Sequence, residues 1–546
     1  MRCPIGRLRQ QLRSGHSEIK LEAFNEKTDI VKSGTLRQKY APYNRVIVLI
    51  LLFAFALFLR LPYYFKDVIN WDESTFIVMG GGILNGYLPY GEFWDLKPPI
   101  AFFSYSLFIV MFGKSITAVR FAGTVCVTVM AFSVFLTLTE RYGRKSALIA
   151  GLLAVFMVGQ IPSGQATMSE IVALVPISVA FWGVATNPKP GIAKTFGIGS
   201  LLAIASLIRL NLLYVSLGCG LLFLLIAWRQ KLPLAVIFYQ QSAYLLGHVT
   251  CCLLTIIPYA WAGKIDVWWR AVILAPISYA SAQVVNVQVP DWSLSWLILA
   301  HAWGWLIPLV GMMYLLVRVL NSPLSAPDHI CIVTLLFLAA IALSILRGGS
   351  LQNHYLIQLV PFLSSLWVIV LATFLKSGRP RLGLSRLGTV VTTAALFFSL
   401  TSSVISDYGY LFSKIDSPYG LLQSNLSFRT ATYLMDKKQP DESVYMMTDH
   451  LVYWLINEPP ITPCSTHPSN VVRASLLPFC SSDVTPTPQS EMNKILALKP
   501  NFIVKKSGIP WYLRNEEAVW STFAHHLQEQ YRLVAKQGTR EIYQKN

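Results

Sequence analysis

Apolar positions in this chain run together instead of alternating. Between Tyr43 and Ile405 they gather into stretches of roughly 17 to 25 residues, the length a helix needs to cross bilayer hydrocarbon, separated by short polar turns. The pattern predicts about eleven membrane-spanning helices, near 44–61, 116–138, 146–161, 170–186, 195–209, 211–228, 242–262, 293–317, 329–346, 354–375 and 387–405. The stretch 98–113 is equally apolar but too short to cross. Counting it as a span would reverse every later loop, so it is read as a helix lying in, or dipping into, the outer face. After Ser406 polar residues and prolines replace the apolar runs. There, 444–448 and 502–504 predict short buried strands, and 491–498 and 516–531 predict helices, which makes 406–546 a small α/β domain.

Composition agrees with this class, since 54% of the 546 residues are hydrophobic and only 13% charged, with a mean hydropathy of +0.50. The expected fold is a mainly α, polytopic membrane protein. Its organisation is a basic tail over 1–42, a membrane module over 43–405 with a large loop at 62–115, and the C-terminal α/β domain. The formal net charge of +18 follows the spans. Arg2, Arg7, Arg9 and Arg13 in the tail, then Arg141, Arg144 and Lys145, then Arg229 and Lys231, then Lys376, Arg379 and Arg381 all fall on one side of the membrane. Short basic loops stay cytoplasmic. The N-terminus is therefore expected inside, the C-terminal domain outside, and the chain in a plasma membrane. The charge acts as a topological signal and calls for no nucleic-acid partner.

Of eight cysteines, only Cys464 and Cys480 fall in the external domain. A lone pair in an oxidising compartment is expected to form a disulfide closing a proline-rich loop, the alternative being two buried thiols. The remaining cysteines read as small apolar packers. Neither metal-ligand spacing nor a glycine-rich phosphate fingerprint after a strand occurs, so no nucleotide cofactor is expected. Gly80, Gly81 and Gly82 read as permitting close helix packing.

The loop after the first span carries the most chemistry. Asp67, Asp72, Glu73, Glu92 and Asp95 lie there among Trp71, Tyr87, Tyr90, Phe93 and Trp94, with Lys97 and two prolines closing the segment. Carboxylates accept hydrogen bonds from sugar hydroxyls, and ring faces stack on pyranose C–H groups. Aromatic residues also anchor any protein at a membrane interface, so the rings alone do not decide.

The order Asp72-Glu73, then Gly86-Tyr87-Leu88-Pro89-Tyr90, then Phe93-Trp94-Asp95-Leu96-Lys97-Pro98-Pro99 opening an apolar helix resembles the GT-C superfamily of polyprenyl-phosphate-sugar glycosyltransferases. Within it, the sequence is most similar to the branch of protein O-mannosyltransferases, aminoarabinose transferases and galacturonosyltransferases, and through them to bacterial inner-membrane enzymes. Arg347-Gly348-Gly349, followed by His354-Tyr355-Leu356 and Pro361, resembles that branch's late loop, and Glu170 stands where the family often has an acid. The resemblance implies transfer of one sugar from a polyprenyl-phosphate donor to a hydroxyl of a glycolipid, polysaccharide or protein, with inversion. Asp72 would be the general base. Glu73 would be its partner, orienting a helix or binding acceptor, or else an ordinary helix N-terminal acid. Asp95 or Glu92 would be the second loop carboxylate. Leu96 stands between Asp95 and Lys97, where the aminoarabinose branch has the acid directly before the lysine, which leaves the choice between the two open. Lys97 would approach the lipid phosphate. Arg209, Arg270 and Arg347 are further cations for that phosphate, snorkelling to headgroups being the alternative role for each. His354, with Tyr355, could donate to phosphate or ligate a metal. Some relatives use a divalent ion and some do not, so a metal is left open. A multi-pass transporter and an oligosaccharide ligase remain alternatives. The near absence of ionisable residues in mid-span and the lack of repeats favour the enzyme.

Overall fold

The computed structural model describes residues 45–161, 163–285, 329–347, 352–376, 404–415 and 425–546. Long helices occupy the apolar runs, because a backbone in hydrocarbon must satisfy its own hydrogen bonds. In chain order they are α1 (Arg45–Phe65), α2 (Trp71–Leu84), α3 (Pro99–Phe112), α4 (Ile116–Tyr142), α5 (Arg144–Gln160), α6 (Ser169–Thr186), α7 (Ile192–Ile208), α8 (Leu213–Arg229), α9 (Leu234–Trp261), α10 (Ile265–Trp269), α11 (Ala275–Val285), α12 (His329–Arg347) and α13 (Val360–Lys376). Among the described residues, seven helical stretches are long and apolar enough to cross a membrane: α1, α4, α6, α9, α12, and α8 and α13 counted with the 3₁₀ turns that open them.

The chain is a multi-pass membrane protein. Each expected span that falls on described residues coincides with a helix, although α9 begins at Leu234 instead of near 242. The spans 293–317 and most of 387–405, with the tail 1–42, lie outside the described residues. With 14 residues, α3 is about 21 Å long, too short to cross. Leu217, Leu221 and Leu225 on α8 and Phe238, Leu246 and Leu254 on α9 are exposed. Water would not tolerate so continuous an apolar face, whereas lipid does.

Two compact units divide the chain at Ala54/Phe55. The first contributes only the front of α1 to the described residues. Within the second, α2 and α3 pack through glycines. A Cβ at Gly80 would stand 2.7 Å from Tyr105 Cβ and 2.9 Å from the backbone N of Ser106. Gly80→Ala is accordingly expected to destabilise the protein by about 1–3 kcal/mol through overpacking, although alanine gains roughly 1 kcal/mol of helix propensity. Gly197→Ala, on α7 with nothing within 4 Å of its Cβ, should be neutral or stabilising. Thermal unfolding of both variants in detergent measures the contrast, and equal melting temperatures would remove the packing explanation.

The C-terminal part adds α14 (Leu426–Lys437), α15 (Leu451–Leu455), α16 (Leu477–Cys480), α17 (Pro488–Ala497) and α18 (Glu517–Gln530) to a four-stranded sheet. The strands are β1 (Val444–Met446), β2 (Phe502–Lys506), β3 (Tyr531–Gln537) and β4 (Arg540–Lys545), in the order β1-β2-β4-β3. Only β1 and β2 are parallel; the other pairings are antiparallel. Gly538, at φ +59°, opens the tight turn between β3 and β4, a backbone region where glycine meets no steric penalty. Tyr445, Ile503, Met492, Ile495 and Phe523 fill the core between sheet and helices.

This α/β part belongs to the same compact unit as α2 and the first loop. Trp454 fills the space over Gly81, and the Trp94 N–H donates to Thr466 Oγ1 at 3.1 Å. Arg540 on β4 donates to Asp449 at 2.7 Å and to Asp67 of the first loop at 3.0 Å.

Candidate active site

Two segments of the first loop meet at the site. Asn70 caps α2 by accepting the Asp72 N–H at 3.0 Å, while its own amide donates to Ser163 at 2.9 Å. Asp72 thus sits in the first helical turn, where the helix dipole favours a carboxylate. Lys97 comes from the chain entering α3. Its carbonyl accepts the Tyr90 hydroxyl at 2.6 Å, and the buried Tyr90 ring packs on Phe102 and Tyr259. The Lys97 Nζ lies 3.8 Å from Asp72 Oδ2, with both side chains about one-fifth exposed.

A third group comes from the far end of the chain. Cys464 and Cys480 form a disulfide, with their Cα atoms 5.0 Å apart, and the loop it closes carries His467. The Ser469 N–H donates to His467 Nδ1 at 3.2 Å, so the imidazole proton resides on Nε2. That nitrogen faces Asp72 Oδ1 at 3.3 Å. Burial alone would raise the Asp72 carboxyl. The Lys97 charge and the His467 hydrogen bond outweigh it and hold the group well below the ordinary carboxylate range. Burial likewise favours a neutral Lys97, but Asp72 and then Asp95 reverse this and raise the ammonium above its usual value.

These groups line a cavity of about 400 Å³ together with Asp95, His354, Tyr355, Arg473, Tyr279, Trp71 and Trp511. Asp95 is buried, and its Oδ2 has no hydrogen-bond partner among the described residues. An unsatisfied buried acceptor is costly, and a ligand hydroxyl that reached it would relieve that cost. Glu92 is exposed on the same loop and does not line the cavity.

Other residues singled out in the sequence fall elsewhere. Glu73 is fully buried and turned from the cavity. It pairs with Arg120 at 2.9 Å and accepts the Thr167 N–H at 2.7 Å, while Arg120 also holds the carbonyls of Tyr63 and Asp67. Its carboxylate ties the first loop to the second. Glu170 is buried behind the cavity in an ion pair with Arg209, and His354 approaches it at 3.6 Å. The Arg209 guanidinium lies over the Tyr355 ring at 4.7 Å, so both reach the cavity only through His354 and Tyr355. Arg270 lies outside the cavity lining and donates to the Pro478 carbonyl at 2.8 Å. Arg347 ends α12 exposed, outside the lining, and Gly348 and Gly349 lie beyond the described residues. Among the described residues, no three His, Cys, Asp or Glu side chains converge as metal ligands.

No protein-family model matches the chain, and comparison with curated proteins gives no match either. Among solved structures, the chain is similar to the Archaeoglobus fulgidus oligosaccharyltransferase crystallised with Zn and sulfate. Identity is 13% and TM-score 0.47, covering 91% of this chain and 73% of that one. It is also similar to ArnT from Cupriavidus metallidurans in the apo state, at 11% identity and TM-score 0.44, covering 92% and 98%.

Proposed function

We propose that this chain is a membrane glycosyltransferase that moves one sugar from a polyprenyl-phosphate carrier to an acceptor hydroxyl at the non-cytoplasmic face. The observation that carries the reading is the meeting of Asp72, Asp95 and Lys97 in one cavity beside apolar helices, a base and a cation within 4 Å of each other. In the reaction the acceptor oxygen bonds to the anomeric carbon and its proton passes to Asp72. The anomeric C–O bond to phosphate breaks, and the phosphate leaves with the electron pair, so configuration inverts. Asp95 binds a sugar hydroxyl, His467 fixes the rotamer of Asp72, and Lys97 stabilises charge on the departing phosphate.

While Lys97 faces Asp72, the carboxylate is a weak base. A donor phosphate that draws the ammonium toward itself relieves that suppression, and burial then raises Asp72 toward a more useful basicity. Basicity therefore rises when donor arrives.

Purified protein in liposomes, given polyprenyl-phosphate-linked hexose and a cell-envelope extract, should release polyprenyl phosphate. The acid limb of kcat/KM in the wild type should lie below the ordinary carboxylate value of about 3.9, because Asp72 is held low in the free enzyme. In Lys97→Gln the largest charge opposing burial is gone and the His467 hydrogen bond remains, so the limb should move upward while the rate falls. A limb that stays put in the variant argues that Asp72 is not the titrating base.

A further inference from the structure

One cation in the cavity lining, Arg473, and one beside it, Lys506, have no part in the proposed reaction. Arg473, on the disulfide-closed loop, lies over the Tyr279 ring with its guanidinium carbon 5.7 Å from the ring centroid. Lys506, at the end of β2, lies 4.9 Å from the Trp71 ring centroid. Trp71 in turn packs edge-on against Trp511 at 5.9 Å. Trp71, Tyr279, Arg473 and Trp511 all line the cavity, and Trp511 is 47% exposed, which puts this group at the mouth. Neither Arg473 nor Lys506 forms an ion pair with a carboxylate among the described residues, whereas Lys97, Arg209 and Arg540 all do.

We propose that this rim is the acceptor subsite and that it selects an anionic glycan, one whose sugar bears a carboxylate or a phosphate. The inference rests on the glycosyl-transfer reading and adds the acceptor's chemical class. Aromatic faces without a companion charge would suit any pyranose. Two unpaired cations held over those rings add a requirement for negative charge, and an arginine can grip a carboxylate or phosphate with two parallel hydrogen bonds. Electrostatics also fixes the orientation. With the donor phosphate on Lys97, the one cation beside Asp72 is taken, and Asp72 and Asp95 repel a second anion, so the acceptor's charge stays at the rim while an uncharged hydroxyl points inward. Because Trp71 and Asp72 both line the cavity, a sugar stacked on that indole places a hydroxyl beside the proposed base. The donor's phosphate goes to Lys97 and the acceptor's anion to Arg473 and Lys506, so the two substrates are sorted by separate cations.

Equilibrium dialysis of the full-length protein in detergent against three labelled probes tests this: trigalacturonate, maltotriose phosphorylated on a primary hydroxyl, and uncharged maltotriose. At least one anionic probe should bind about 10-fold or more tighter than maltotriose, the margin of one charge-assisted contact, and the margin should shrink in high salt. Which anionic probe wins tells carboxylate from phosphate. Arg473→Gln combined with Lys506→Gln should abolish the margin without changing maltotriose binding, and Arg473→Lys with native Lys506 should keep part of it. Equal affinity for the three probes, binding of none, or a preference surviving the double substitution overturns the proposal. The binding readout is independent of turnover. Anionic-glycan binding without any donor turnover sinks the glycosyl-transfer reading alone, and turnover with a neutral acceptor at full rate sinks the subsite alone.

Discussion

Asp72→Asn is expected to lower the rate of sugar transfer by about 10²- to 10⁴-fold, the usual contribution of a positioned base, with normal abundance in the membrane. The substitution keeps the shape of the side chain, and the amide oxygen can still accept from His467 Nε2, now 3.3 Å from Asp72 Oδ1. The Asn70 cap is unaffected, because it uses the backbone N–H of residue 72. What disappears is the proton acceptor and the negative charge opposite Lys97. Released from its partner, the ammonium is free for phosphate, so donor binding should be retained or strengthened while kcat falls. That split separates a lost base from a damaged site, which would weaken both. Transfer within 10-fold of wild type would mean that another group takes the proton. Asp95 would then be the first to replace, since it shares the cavity and has an unpartnered oxygen.

The sequence carried the fold wherever one physical constraint ruled. Hydrocarbon admits only long apolar helices, so hydropathy located α4, α6 and α12 within a few residues. In the C-terminal part, β1 and β2 were visible as short apolar runs because nearly all of their positions are buried. The strands β3 and β4 were missed. Their sequences, YRLVAKQ and REIYQK, mix charged and apolar residues, and β3 forms the sheet edge with several positions exposed. The tight turn at Gly538-Thr539 was the available signal.

For the site, the first-loop motif pointed to Asp72, Lys97 and either Asp95 or Glu92, and the late loop to His354 and Tyr355; the structure lines one cavity with all of these except Glu92. Glu73 shows the limit of adjacency. Successive residues on a helix are turned about 100° apart, so its neighbour's access to the cavity says nothing of its own. Arg270 stands out in the sequence for its charge near a span end and Arg347 also for the late-loop resemblance around it, and neither criterion carries a side-chain direction. His467 and Arg473 could not be paired with the first loop from sequence. The same loop's Thr466 contacts Thr75 across 391 residues, and no local pattern encodes so distant a contact. The sole hint was Cys464, three residues before His467 in a loop that the disulfide closes.

Arg540→Met is expected to destabilise the protein by about 3–5 kcal/mol, the cost of leaving a buried ion-pair partner alone. Arg540 is 2% exposed and Asp449 4%. Their carboxylate–guanidinium contacts are 2.7 Å each, and the same guanidinium reaches Asp67 and Ser427. The pair therefore ties β4 to the first loop that carries Asp72. The loss should depend on pH in a defined direction. In the wild type, burial raises Asp449, but the Arg540 hydrogen bonds and charge prevail and hold it below its ordinary value. That stabilisation is present above the unfolded carboxylate value of about 3.9 and is lost only as pH falls through the lower folded value. Without Arg540, burial meets only the Lys506 charge and the Thr448 hydrogen bond, and Asp449 is expected to take up a proton at higher pH in the folded state than in the unfolded one. The variant's deficit should thus be largest near pH 7 and shrink toward pH 5, and Asp449→Asn added to Arg540→Met should recover part of it at pH 7. Thermal unfolding in detergent at the two pH values reads both effects. A deficit independent of pH would show that the arginine acts through packing and not through its buried partner. If docking of the C-terminal part orders the site, Arg540→Met should also lower transfer through His467 while leaving membrane insertion intact, because the lost contacts lie outside the spans.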